Sequence, residues 1–339
     1  MNFLSEFSTG RFERAHQRIA SFVRHTPLLP APLLQENVPD NLILKLENLQ
    51  ISGSFKIRGV FNTLLQLGEA ERERGVITAS GGNHGVALAI GAHKLGIRCL
   101  VYLPATADND RVQRVERWGA TVIKHGLAWD DANAQALLHA EQDNLTYVHP
   151  FDAIQTIEGQ GTLGLEILED VPDVDCVLVA IGGGGLISGV STAIKLKKPE
   201  VQIIGVEPVG APSMLESINN GSVRKLSEVR TVATTLAPRS VSERTLALSQ
   251  SFVNQIVLVT DDQMVDAMRW LWVECNQLVE PAGAAVMAAI FSGAFPVHDF
   301  KKPVALICGG NADAESVFAN YSSLSSPQRT QRNTEESRK

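Results

Sequence analysis

An α/β protein built from two doubly wound units is the fold class the sequence predicts, and three observations carry it. Short apolar runs alternate with segments of helical period, the rhythm of right-handed βαβ crossovers on parallel sheets. That rhythm stops near "YVHPFD" (Tyr147–Asp152) and restarts, which makes two units rather than one. Glycine-rich turns close several of the apolar runs, and a cleft beyond the strand ends is where such sheets bind ligands.

Taken in order, "SGSFKIRGV" (Ser52–Val60) reads as the entry to a partly buried helix. "GVITAS" reads as a strand, followed by a helix from about Val86 to Leu95. "IRCLVYLP" and "ATVIKHG" are strands separated by the helix "NDRVQRVERWG", and "WDDANAQALLHAEQD" is the next helix. After the break come helix "EGQGTLGLEILED", strand "DCVLVAIGGGG", helix "LISGVSTAIKLK" and strand "VQIIGVEP". "QIVLVT", the helical "DDQMVDAMRWLWVECNQ", then "PAGAAVMAAIFSG" and the strand "PVALICGGN" complete the second unit. The expected division is residues 1–67 plus 151–320 as a large domain, 68–150 as a small one, and 321–339 as a disordered polar tail. "PRSVSERTLALS" (Pro238–Ser249) falls where loops facing a substrate are expected.

With 339 residues, 44% hydrophobic and 20% charged, the chain can bury a sizeable core. A net charge of −7 without a Lys/Arg-dense patch argues against nucleic acid or an anionic membrane as partner. The four cysteines, Cys99, Cys176, Cys275 and Cys308, lack the spacing of a zinc site or a disulfide framework. The opening "MNFLSEFSTGRFERAHQ" has no apolar signal-peptide core, and no run approaches 18 uninterrupted apolar residues. A cytoplasmic protein is expected.

Three stretches carry chemistry. Lys56 sits between Phe55 and Ile57, and a lysine desolvated there without a partner loses its proton readily. That would be a defect in a core helix and a qualification in a lysine meant to react. Gly182–Gly185 lie directly between a buried strand and a helix, so converging backbone N–H groups and the helix dipole make an anion site suited to one phosphate. The bland alternative is a flexible turn, but four glycines in a row cost much chain entropy. At this bend the third glycine of G-x-G-x-x-G would fall on Ile187 or Ser188 and no G-K-[ST] follows, so the bend fits neither the dinucleotide nor the P-loop pattern. Ser80, Gly81, Gly82 and Asn83 form a second anion-suited turn, here for a carboxylate. His84 in that turn is either a catalytic base or a structural histidine satisfied by backbone, the second being preferred. Cys308 and "GGN" close a third strand at the same cleft; a buried cysteine is more often apolar filler than a nucleophile.

A reactive lysine, a monophosphate cradle and a carboxylate turn around one cleft fit pyridoxal phosphate. "SGSFKIRG", "SGGNHG", "HPFD", "GQGTLGLEI", "GGGGLISG", "GVEP" and "GGN" occur together in order. On these motifs the chain resembles the serine/threonine dehydratase and serine racemase group of fold-type II pyridoxal-phosphate enzymes, over roughly His25 to Ala314. The resemblance implies the tryptophan synthase β-like fold, with the cofactor in the cleft between two doubly wound α/β domains. It implies Lys56 as the Schiff-base lysine and carrier of the Cα proton, with Phe55 walling the pyridine ring. It further implies Asn83 on the phenolic oxygen, Gly182 to Gly185 and Leu186 on the phosphate, and Cys308 at the pyridine nitrogen. Ser80, Gly81, Asn83 and His84 match the substrate-carboxylate positions. The implied activity is removal of water and ammonia from a β-hydroxy amino acid, foremost L-threonine or L-serine, giving a 2-oxo acid; homodimers or homotetramers are expected.

Two departures qualify the resemblance. The racemases of the group carry a second serine where this chain has Gly81, so racemisation is not expected to be efficient. Their cation site matches Glu207 and Ala211, while the third position falls on Ser213; a monovalent or divalent cation and a plain ion pair from Glu207 to an Arg or Lys both stay open. The remaining alternatives are a serine racemase, a dehydratase of 3-hydroxyaspartate or a β-arylserine, and a catalytically silent protein that binds the cofactor for regulation.

Overall fold

A computed structural model describes residues 3–31 and 38–312 of the chain. The tail expected at residues 321–339 lies outside the described residues. Helix α1 (Thr9–Ile19) leads to two strands, β1 (Leu28–Pro30) and β2 (Ile43–Leu46), and then to helices α2 (Lys56–Leu64) and α3 (Glu69–Arg74). Next come β3 (Val76–Ala79), α4 (Asn83–Leu95), β4 (Cys99–Leu103), α5 (Asn109–Glu116), β5 (Thr121–Lys124), α6 (Trp129–Gln142) and β6 (Thr146–Tyr147). These strands form one four-stranded sheet, ordered β5-β4-β3-β6, and every pairing in it is parallel.

The chain continues with α7 (Ile154–Asp170), β7 (Cys176–Ala180), α8 (Gly185–Lys195), β8 (Gln202–Pro208), α9 (Ser213–Asn220) and α10 (Glu243–Phe252). It ends, as described, with β9 (Gln255–Val259), α11 (Asp261–Cys275), α12 (Pro281–Phe291) and β10 (Pro303–Ile307). A six-stranded sheet results, ordered β1-β2-β10-β7-β8-β9, with only β1 antiparallel to its neighbour. Its central strands β7 and β10 are buried along their whole length, the mark of a parallel sheet covered on both faces.

Helix α2 is held against α7 at very close range. A Cβ on Gly159 would stand 2.5 Å from the Gly59 Cα, and one on Gly59 would stand 2.9 Å from the Thr156 carbonyl oxygen. Below this contact Arg58 is fully buried and forks onto two carboxylates, Glu47 at 2.7 Å and Glu166 at 2.6 Å. Lys45, also fully buried, reaches Glu166 at 3.1 Å and Asp170 at 2.8 Å. Burial works to raise the Glu166 pKa, but Arg58 and Lys45 outweigh it and hold the carboxyl below its ordinary value. Deep packing and paired charge thus fix the start of α2.

Some boundaries differ from the sequence-based expectation. Helix α4 begins at Asn83 rather than near Val86, because Gly82 is its extended N-cap and Gly85 lies inside the first turn. Gly85 is there for packing: a Cβ would lie 1.9 Å from the Ser80 carbonyl oxygen. Helix α7 begins at Ile154, four residues before Glu158. Most of Pro238–Ser249 is not a loop, since α10 starts at Glu243 with Ser242 accepting from the Thr245 N–H as its cap.

Candidate active site

The loops leading into α2 and out of β10 are hydrogen-bonded to each other. The Phe55 N–H donates to the Cys308 carbonyl at 3.1 Å, and the Gly310 N–H to the Gly53 carbonyl at 2.8 Å. Between them Lys56 begins α2, and its Nζ donates to the Pro150 carbonyl at 2.7 Å and lies 5.1 Å from the Phe55 ring centre. Burial lowers the Lys56 pKa to about 8, with Cys308 and Glu280 pulling it back in part. Cys308 is itself buried, donates its Sγ–H to the Ala282 carbonyl at 3.4 Å, and has its pKa pushed well up by burial and then by Glu280. A thiol in that state is neutral at pH 7, so of the two groups countering the lysine only Glu280 carries charge there.

Lys56 borders two cavities. One, of about 580 Å³, is walled by Ser80, Gly81, Asn83 and His84 from the turn before α4. The other, of about 40 Å³, is walled by Phe55, Gly182 to Gly185, Leu186 and Cys308. Asn83, Phe151, Gly183, Thr235 and Glu280 border both. The structure therefore brings together every sequence-derived candidate except Glu207 and Ala211.

The glycine bend owes its composition to space as well as to conformation. Gly184 has φ +88° and caps α8, whose first residue is Gly185. A Cβ on Gly183 would fall 2.3 Å from the Phe151 ring and one on Gly185 would fall 2.7 Å from the Phe151 carbonyl oxygen. With no side chain at either place Phe151 packs directly on the bend, and the first turn of α8 borders the smaller cavity, where a helix start suits an anion.

His84 is structural in this geometry. Its Nε2 meets the Val148 carbonyl at 3.0 Å, and burial, helped by Lys56, lowers its pKa to about 3. Its Nδ1 finds no protein partner among the described residues, but a ring whose pKa lies that low is a weak base at neutral pH. His149, next to the lysine's carbonyl partner, is lowered to about 4, chiefly by burial. Among the described residues Glu207 pairs with no Arg or Lys, contrary to one of the two expectations for it. Its carboxylate accepts from the Met214 and Leu215 N–H groups at 2.8 and 2.9 Å, capping α9, because those amides start a helix directly opposite it. Ala211 lies in the turn before that helix and its carbonyl accepts from the Ser213 N–H. No group of three or more His, Cys, Asp or Glu side chains converges among the described residues.

Four site residues were not singled out from the sequence. Glu280 accepts from Asn83 Nδ2 at 2.5 Å, and Asn311 donates to Asn83 Oδ1 at 2.6 Å. Thr235 and Phe151 line both cavities. A signal existed for Glu280: it is the lone charge in the otherwise apolar run "LVEPAGAAVMAAI". Two contacts bridge the cleft mouth, Arg114 to the Asn311 carbonyl at 3.2 Å and Lys225 to Asp130 at 2.9 Å.

A family model described as "Pyridoxal-phosphate dependent enzyme" matches residues 19–309. The L-threonine ammonia-lyase of Thermotoga maritima is 38% identical over 305 residues, 90% of this chain and 76% of that protein. A catabolic L-threonine dehydratase of Staphylococcus aureus is 36% identical over 313 residues, 91% of this chain and 90% of that protein. Among solved structures, maize serine racemase superposes with a TM-score of 0.88 at 32% identity, covering 94% of this chain and 98% of that one.

Proposed function

The chain belongs to the pyridoxal-phosphate dependent enzymes, and from that premise we propose that it removes water and then ammonia from a β-hydroxy amino acid, L-threonine or L-serine foremost, to leave a 2-oxo acid. The cleft fits the cofactor on an observation of its own: the bend at Gly183 and Gly185 has no room for a Cβ, and the bare start of α8 borders the same cavity as Lys56. When bound, pyridoxal phosphate supplies an electron sink that makes a substrate's Cα–H bond acidic.

The rest falls to this chain's side chains and amides. Lys56, with a pKa near 8, is the covalent anchor and the proton carrier at Cα, since a general base works best with a pKa near the operating pH. Gly182 to Gly185 and Leu186 would hold the phosphate, Phe55 would wall the ring, and Asn83 would donate to its oxygen. Cys308, a neutral thiol in the wall of the smaller cavity, would face the pyridine nitrogen and would offer it no carboxylate to hold a proton. Ser80, Gly81, Asn83 and His84 hold the substrate carboxylate at the start of α4, His84 through its backbone N–H. Gly81 has no hydroxyl to give a proton, which favours elimination over racemisation.

Lys56 bordering both the glycine bend and the α4 turn is the observation that carries this reading. A panel of β-hydroxy amino acids in both enantiomers, with and without added cations and scored for 2-oxo acid, tests it. Turnover of L-threonine or L-serine is expected; a yellow, cofactor-loaded protein that turns over none of the panel would support the silent binder instead. Arg111 and Arg114 on one wall of the larger cavity favour, as a second reading, a substrate with an extra carboxylate such as 3-hydroxyaspartate, included in the same panel. Among the described residues no helix is long and apolar enough to cross a membrane. We expect a cytoplasmic homodimer or homotetramer, which sedimentation of the purified protein will check.

A further inference from the structure

Glu280 is the buried carboxyl that the proposed chemistry leaves unused. It occupies the N-cap position of α12, yet its side chain makes no cap hydrogen bond there and borders both cavities instead. Its Oε1 accepts from Asn83 Nδ2 at 2.5 Å and lies 3.5 Å from the Thr235 hydroxyl. The other end of the Asn83 amide is held by Asn311, whose Nδ2 also donates to the Ser52 carbonyl at 2.9 Å. A backbone carbonyl only accepts, so Ser52 decides which end of the Asn311 amide is nitrogen. Asn311 is then a donor to Asn83, which fixes the Asn83 oxygen, and Glu280 as acceptor takes one of the two N–H groups at the opposite end. The run has a single polarity from carbonyl to carboxylate, and it leaves the second Asn83 N–H for the cleft.

We propose that Glu280 is a positioning residue that holds the Asn83 amide with its nitrogen toward the cleft and supplies the negative charge that keeps the proton on Lys56. The inference builds on the roles given to Lys56 and Asn83 above. Glu280 is faced by Lys56 from α2, Asn83 from α4, Arg114 from α5, Thr235 from the loop before α10 and Cys308 after β10. Burial raises its pKa to about 7 against the pull of Asn83, Thr235, Lys56 and Arg114, so it is part-charged at neutral pH. Lys56 faces Glu280 and Cys308 and is felt by His84 and His149, both neutral at that pH; only Glu280 opposes loss of its proton.

Glu280→Gln keeps the volume and an acceptor oxygen for Asn83, so the amide run set by Ser52 is retained and only the charge is removed. In the full chain freed of cofactor, the pH dependence of Lys56 acetylation, read by peptide mass spectrometry, reports the lysine's protonation without cofactor or substrate. Lys56 is expected to label roughly three- to fivefold faster at pH 7 in the variant, a midpoint lower by about half to one pH unit. Pyridoxal phosphate should also bind the variant more weakly by equilibrium dialysis. A folded Glu280→Gln whose Lys56 midpoint is unchanged would overturn the proposal, even if its stability had fallen. Should that variant not accumulate, Glu280→Asp retracts the charge by one carbon and should shift the midpoint in the same sense by less; no shift there is equally fatal. Failure of the dehydratase reading would leave this titration intact, so the two are separable.

Discussion

Two cations start helix α2 two residues apart, and their surroundings differ in kind. Arg58 points into the packed layer between α2 and α7, where its fork donates four charge-assisted hydrogen bonds to Glu47 and Glu166. Lys56 points into the cleft, where one carbonyl takes one of its three N–H donors and the nearest carboxyl, Glu280, is itself reluctant to ionise. Both are desolvated; only Arg58 is compensated. Buried charge that is fully paired keeps its proton and fixes structure, whereas charge left half-paired sits near its titration point and can move a proton. Arg58 ties the helix start to Glu47 and Glu166, and that anchoring is what aims Lys56 at the cleft.

Removing Lys56 should have the largest effect and should fall on chemistry alone. Lys56→Ala is expected to lower turnover of L-threonine by about 10³-fold or more, some 4 kcal/mol of barrier, with the urea midpoint unchanged or raised. Removing Arg58 should invert the pattern. Arg58→Met leaves the buried Glu47 without its cation and Glu166 with Lys45 alone, and a loss of about 3–5 kcal/mol in unfolding free energy is expected. Adding Glu47→Gln and Glu166→Gln to that variant should restore part of it, which no simple packing defect would allow.

A smaller change probes the cleft side without touching the lysine. Gly183→Val drives a side chain into the Phe151 ring, and pyridoxal phosphate affinity should fall by at least about tenfold, 1.4 kcal/mol, in equilibrium dialysis. The smallest effect concerns pH. His84 and His149 have native pKa values of about 3 and 4, below the unfolded value of about 6.5. Each therefore adds stability that is complete above pH 6.5 and lost as pH falls toward those native values. Glu280 and Glu207, raised to about 7, act in the opposite sense between about pH 4.5 and 7, so the histidine share is read by difference. Relative to the parent chain, His149→Gln should raise the urea midpoint at pH 5 against that at pH 7, because it removes a group that loses stability on acidification.

Much of this was legible in the residues themselves. Strands β3 to β5 and β7 to β10 announce themselves as apolar runs, and the glycine bend and α4 turn follow from where glycines interrupt them. The charged layer under α2 was not legible, although Arg58 stands in the same motif as Lys56, because pairing across 108 residues to Glu166 leaves no local trace. Strands β1 and β2 are short and carry a buried lysine, Lys45, so no apolar run marks them. Helix α4 began earlier than expected because Gly85 looks like a loop residue when its purpose is close packing on Ser80. Asn311 sat in a quoted motif without a role, since its bond to Asn83 exists only once β10 and α4 meet.

The covalent attachment point is the most direct check on Lys56 as the reactive member of the pair. Borohydride reduction of the cofactor-loaded protein, followed by protease digestion and mass spectrometry, should find the reduced pyridoxyl mass on the peptide containing Lys56 and on no other lysine. Recovery of that mass on Lys45, Lys124 or Lys225, or an unmodified Lys56 peptide in a yellow sample, would contradict it.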